Sequence, residues 1–182
     1  MGEKKLDGAG LRGQVAGNTA LSTVGKEGKG LTYRGYAIEE LSEKASFEEV
    51  AYMLLYGNLP TQSEYDQYSS KLKSYRGLPE ALKEVLERIP ATAHPMDVMR
   101  TGCSVLGNLK PEGDFSNQNE TADRIMASFA SIVTYWYRYS HDGVRIDTAT
   151  DHPTIGGQFL SLLTGNEPSE DHARALDVSL IL

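Results

Sequence analysis

The stretch Ser46-Phe-Glu-Glu49-Val50-Ala51-Tyr-Met-Leu54-Leu55-Tyr-Gly57 decides the fold class. Ser46 with Glu49 three positions on has the spacing of a capping box, in which each side chain accepts from the other residue's backbone amide at a helix start. Val50, Ala51, Leu54 and Leu55 follow at helical spacing, and Gly57 stands where a left-handed residue ends such a helix. The pattern then repeats. Thr61 with Glu64 forms a second box, Tyr65, Tyr68, Leu72 and Tyr75 make a stripe, and Gly77 is the expected stop. The short Asn58-Leu-Pro60 link makes these two helices antiparallel neighbours.

Downstream the helical pattern continues. Pro79 suits a first helical position, with Leu82, Val85, Leu86 and Ile89 as the buried stripe. His94-Pro95 opens another helix, whose run Met96, Met99, Cys103 and Leu106 is interleaved with Thr101, Gly102, Ser104 and Gly107. Residues that small let a second helix approach closely. Lys110 to Asn119 is a polar loop, expected to be variable or disordered, since its Gly, Asp, Ser and Asn residues cannot bury a face. Glu120 to Tyr139 is expected as a long helix, and Ile125, Met126, Phe129, Ile132, Val133, Trp136 and Tyr137 cover enough of it to predict burial on two sides. Pro153 starts a further helix that runs to Gly165, and Ser169 caps a last one carrying Ala173, Leu176 and Leu180.

Only the opening reads differently. Between Thr19 and Tyr36 short apolar segments flank Gly25-Lys-Glu-Gly28-Lys29-Gly30, the pattern of a small β-hairpin. The fold class is therefore all-α with a small N-terminal β-hairpin, the hairpin at about 19–36 and helices at about 37–182. With 182 residues, 40% of them hydrophobic and 24% charged, the composition is that of one globular domain without a membrane span. A formal charge of -7 gives no sequence-wide basic field for nucleic acid. The N-terminus has neither a secretory nor a transit pattern, and the single Cys103 cannot form an internal disulfide, so a cytoplasmic location is expected.

Several groups carry residue types used in chemistry. Lys29 is followed by Gly30 rather than by Ser or Thr, so the glycine-rich run favours a hairpin turn over a phosphate loop. His141, Asp142, Asp151 and His152 match no metal-ligand spacing and read as a polar loop. Ser169, Asp171 and His172 have triad residue types at a helix start, where capping uses the same types. His94 is expected to cap its helix, Cys103 to be an inert thiol, and the tyrosine stripe to pack against another helix. Arg76, at the exit of the tyrosine-rich helix, is expected to offer an exposed cationic head to an anion or to the helix dipole. No catalytic constellation and no metal site is complete on this reading.

Three stretches resemble the citrate synthase family, and especially its 2-methylcitrate branch: Gly30-Leu-Thr-Tyr-Arg-Gly-Tyr36 into Glu39-Glu-Leu41, Phe47 to Pro60, and His94-Pro-Met-Asp-Val-Met-Arg-Thr-Gly-Cys-Ser-Val-Leu-Gly107. Tyr135-Trp-Tyr-Arg-Tyr-Ser140 and Ile155-Gly-Gly-Gln-Phe-Leu160 are also similar to that branch, so the likeness covers nearly the whole chain. It implies an all-α homodimer that condenses an acyl-CoA with oxaloacetate, the acyl-CoA being a substrate and no cofactor being needed. The helices from His94 and Glu120 would lie at the subunit interface. The family's catalytic histidines and aspartate belong to a C-terminal half that the sequence does not contain. On that reading residues 1–182 are the N-terminal segment of the large domain, inactive alone, and the uncapped apolar run from Val178 to Leu182 fits a longer protein. Arg76 becomes the candidate for substrate binding, and Arg12 a weaker one for a CoA phosphate of the neighbouring subunit. Propionyl-CoA is the expected acyl donor and acetyl-CoA the alternative; a non-catalytic α-helical dimerisation module is the competing reading.

Overall fold

The computed structural model describes residues 17–24 and 30–182. Three two-residue strands form one antiparallel sheet in the order β1 (Ser22–Thr23), β2 (Thr32–Tyr33), β3 (Tyr36–Ala37). Ser22 pairs with Tyr33 and Thr23 with Thr32, as the hairpin reading requires, while residues 25–29 of its turn and Arg12 lie outside the described residues. A second hairpin was not read from the sequence. Arg34 and Gly35 both have positive φ, 47° and 94°, the geometry of a tight two-residue turn between β2 and β3. A left-handed arginine is costly unless held, and here Arg34 Nη2 donates to the Leu54 carbonyl at 2.9 Å.

The remainder is helical: α1 (Ile38–Lys44), α2 (Phe47–Tyr56), α3 (Gln62–Ser74), α4 (Glu80–Leu86), α5 (Pro95–Leu109), α6 (Gln118–Asp142), α7 (Ile155–Thr164) and α8 (Glu170–Ile181). Both capping boxes form. The Ser46 amide donates to Glu49 Oε2 at 2.7 Å and the Thr61 amide to Glu64 Oε2 at 2.8 Å, and each acid's own amide donates back to the cap hydroxyl. Gly57 ends α2 at φ 112°.

Several boundaries differ from the sequence reading, α6 among them, which runs Gln118–Asp142 rather than Glu120 to Tyr139. Helix α3 ends at Ser74 with Tyr75 as its cap, so Gly77 does not stop it. Pro79 caps α4 from outside rather than filling its first position, and Thr154, not Pro153, caps α7 through the Gly157 amide at 3.1 Å. The loop expected over 110–119 is ordered and shorter, because Asp114 caps a 3-10 turn at Phe115–Asn117 that runs straight into α6.

Helix α6 is the centre, packing against α3, α4, α5 and α7. One core cluster joins Leu82 and Leu86 of α4 to Val98 of α5 and Ile132, Tyr135 and Trp136 of α6. A second gathers Leu41, Val50, Met53 and Ile181, and a third Tyr68, Leu72, Ala127, Ala130 and Ile155. On α5 the expected stripe is rotated. Val98, Gly102 and Leu106 are buried, whereas Met96 is 63% exposed. Close approach does occur, at Gly102, where an added Cβ would lie 2.5 Å from Ile132 Cγ2.

Candidate functional site

Two features stand out on this scaffold. The first is an apolar groove of about 550 Å³ crossing five helices, lined by Phe47 of α2, Met99 of α5, Ile125 and Phe129 of α6, Phe159 of α7, and Leu180 of α8. Long apolar side chains at Ile125, Phe129 and Val133 thus face an open groove, while the opposite side of α6 carries the core. That accounts for the breadth of apolar coverage read from the sequence.

The second feature is a buried polar junction where the first turns of α2 and α7 meet α8. Glu48 Oε1 accepts the Ile155 amide at 2.6 Å, and Asp177 Oδ1 accepts the Phe47 amide at 3.0 Å. Carboxylates so placed satisfy orphan amides and sit favourably at helix N-termini. Arg174 reaches from α8 to the Ala45 and Ser42 carbonyls at 2.9 and 2.5 Å and to Asp177 Oδ2 at 2.8 Å. The one side chain thereby satisfies carbonyls at and beside the end of α1 and neutralises Asp177.

Arg76 borders this junction, and its placement corrects the expectation of an exposed head. The residue is 1% exposed, and Nη1 donates to the Thr150 and His152 carbonyls at 3.1 and 2.6 Å. It pins the 148–154 segment against the end of α3, where neither a free anion nor the helix dipole is its partner. Burial pulls its guanidinium below the usual value, and Glu48 and Asp151 oppose that shift. The cause of the misreading is tertiary: Thr148, whose hydroxyl accepts the Leu78 amide at 3.1 Å, brings a distant segment over the helix exit.

The other groups separate. His141 stacks on Tyr137 with ring centroids 4.3 Å apart, whereas His152 Nε2 meets Glu167 Oε1 at 3.1 Å, so the two histidines serve different neighbours. Among the described residues no cluster of three or more His, Cys, Asp or Glu could hold a metal ion. Ser169 accepts the His172 amide at 3.3 Å, which is capping, and His94 Nδ1 accepts the Met96 amide at 3.2 Å. Cys103 is a half-buried free thiol. The tyrosine stripe does pack on another helix: Tyr68 donates to Asp123 Oδ1 at 2.9 Å, and Tyr75 donates to Glu120. Asp123, fully buried on α6, also accepts from Tyr56 at 2.5 Å and Lys71 at 2.8 Å.

Glu48, Asp123 and Asp177 were not singled out from sequence, although two of them carry a signal. Asp123 is spaced four and seven residues before Ala127 and Ala130, and Asp177 lies four after Ala173 and three before Leu180. An acid on an apolar face calls for a buried partner. Glu48 has no such mark, because an acid in a first helical turn is ordinary.

Comparison with known proteins gives consistent relatives. A family model described as "Citrate synthase, C-terminal domain" matches residues 10–182. A 2-methylcitrate synthase of Shewanella oneidensis is 66% identical over 98% of this chain and 48% of its own length. A citrate synthase of Deinococcus radiodurans is 36% identical over 95% of this chain and 46% of its own. Among solved structures, citrate synthase from Pyrobaculum aerophilum superposes with a TM-score of 0.83 at 33% identity, covering 94% of this chain and 45% of that one. The chain thus spans about half the length of the curated relatives it matches. Among the described residues no helix is long and apolar enough to cross a membrane.

Proposed function

The chain belongs to the citrate synthase family, and from that premise we propose that the protein it represents is a 2-methylcitrate synthase, a transferase condensing propionyl-CoA with oxaloacetate. The observation that carries this reading is the 66% identity to the Shewanella oneidensis 2-methylcitrate synthase across 98% of the chain. The reaction is removal of a proton α to the thioester carbonyl, attack of the enolate on the oxaloacetate ketone, and hydrolysis of the CoA thioester. Residues 1–182 form the N-terminal part of the large domain and are inactive alone, a reading supported by their share of the relatives' length.

The protein is read as a cytoplasmic homodimer. The groove over α2, α5, α6, α7 and α8 supports that assembly, since a contiguous apolar face of this kind calls for further protein to cover it. Arg76 fixes the 148–154 segment and offers no exposed head of its own to a substrate. Thiol release with oxaloacetate tests the proposal. The intact protein should turn over propionyl-CoA in preference to acetyl-CoA, and residues 1–182 alone should turn over neither. A strong preference for acetyl-CoA would make it a citrate synthase, and an intact protein inert with both would favour a dimerisation module.

A further inference from the structure

The junction of α2, α7 and α8 buries two carboxyl groups with unequal support. Asp177, 3% exposed, has the Phe47 amide and the Arg174 guanidinium. Glu48, 1% exposed, has the Ile155 amide on one oxygen, and its other oxygen is buried without a hydrogen-bond partner. The cation that acts on Glu48 is Arg76, yet Arg76 Nη1 is committed to two carbonyls and its Nε is itself buried and unpartnered. The remaining groups bearing on this pair are the phenols of Tyr65 and Tyr68 on α3, neighbouring Glu49, and Asp151 and His152 beside Arg76.

We propose that the Glu48 carboxyl, packed beside Asp177, is a proton-binding switch at this junction, closed when Glu48 is protonated and loosened when it is ionised. Two buried like charges on adjoining helix turns repel, and the unpartnered oxygen of Glu48 has no group to offset ionisation. Burial pushes the Glu48 carboxyl up, Asp177 adds to the rise, and the Ile155 amide and Arg76 oppose it. The switch lies beneath the apolar groove: the amides it holds belong to Phe47 and Ile155, whose side chains line that groove. Proton occupancy therefore sets how firmly the groove's walls are joined, whatever the acyl donor.

The sign follows from the upward shift. The stabilisation is fully present below the ordinary glutamate value of 4.5 and is lost as pH rises through the higher native value. Thermal unfolding of the intact protein and its Glu48→Gln variant across that range tests it. The variant keeps an acceptor for Ile155 but cannot ionise, so its midpoint should gain on the parent by several degrees as pH rises. A difference independent of pH, or one that turns against the variant at higher pH, would overturn the switch. Infrared detection of a protonated buried carboxyl supplies an independent reading. The band should be present in the parent and should disappear at lower pH in Asp177→Asn, where the like charge is gone; its absence, or an unchanged midpoint, contradicts the proposal.

Discussion

Gly102 of α5 faces Ile132 of α6 so closely that a Cβ at position 102 would lie 2.5 Å from the isoleucine Cγ2. The crossing of these two helices is thereby set by the absence of one methyl group, with Ile132 itself fully buried. Gly102→Ala should cost about 1–3 kcal/mol despite its better helix propensity, because overpacking exceeds the propensity gain. Chemical denaturation reads the loss. Adding Ile132→Ala, which removes the Cγ2 the new methyl would meet, should make the two changes non-additive, the double variant losing less than the sum of the singles. Strict additivity would show that this contact does not fix the crossing.

The fully buried Asp123 joins α2 and α3 to α6 through Tyr56, Tyr68 and Lys71. Asp123→Asn keeps the shape but turns one acceptor into a donor facing the lysine, and should cost about 3 kcal/mol, as for other broken buried pairs. Glu120, whose side chain is 46% exposed, also contacts Lys71 at 2.7 Å. Its replacement by Gln should cost about 1 kcal/mol or less, since exposed pairs contribute little. Equal losses in urea denaturation would refute the ranking by burial.

The same cluster predicts alkaline behaviour. Burial and the hydrogen bond to Asp123 push the Tyr56 phenol from 10.0 up to about 12, and Tyr68 is shifted in the same direction. Because the folded value exceeds the unfolded one, the associated stability is intact below pH 10.0 and is lost as pH rises through about 12. Tyrosinate absorbance should therefore show a late-titrating fraction in the folded protein, and Asp123→Asn should bring it earlier. A single titration near the ordinary value in the folded protein would contradict the cluster.

Arg76→Met removes the donor to two carbonyls in the 148–154 segment and should cost about 3 kcal/mol. Arg76→Lys should recover only part, because an ammonium does not reproduce a planar fork. Hydrogen exchange should report faster opening at Thr148 and the Leu78 amide it holds in both variants. Unchanged protection there would show that Arg76 does not pin this segment.

What the sequence carried well were features contained in a few adjacent residues. Both capping boxes, the caps at His94 and Ser169 and the close approach at Gly102 all depend on local spacing. The stripe on α5 was misplaced because a glycine does not count as apolar, although Gly102 marks the tightest contact, and because Met96 is apolar yet exposed. Arg76 was misread because the carbonyls that bury it come from residues 150 and 152, far along the chain. Glu48 and Asp177 meet across about 130 positions, a pairing that no periodicity encodes. The second hairpin has no local sequence signature, because its turn needs Arg34 in a left-handed conformation that a long-range bond to Leu54 maintains.

The central claim is the choice of acyl donor. One methylene in an apolar pocket discriminates substrates by about 10–200-fold. The decisive measurement supplies the intact protein with equal propionyl-CoA and acetyl-CoA and limiting oxaloacetate, then determines the product ratio by mass. The account predicts 2-methylcitrate in at least about tenfold excess. Citrate as the main product would contradict it.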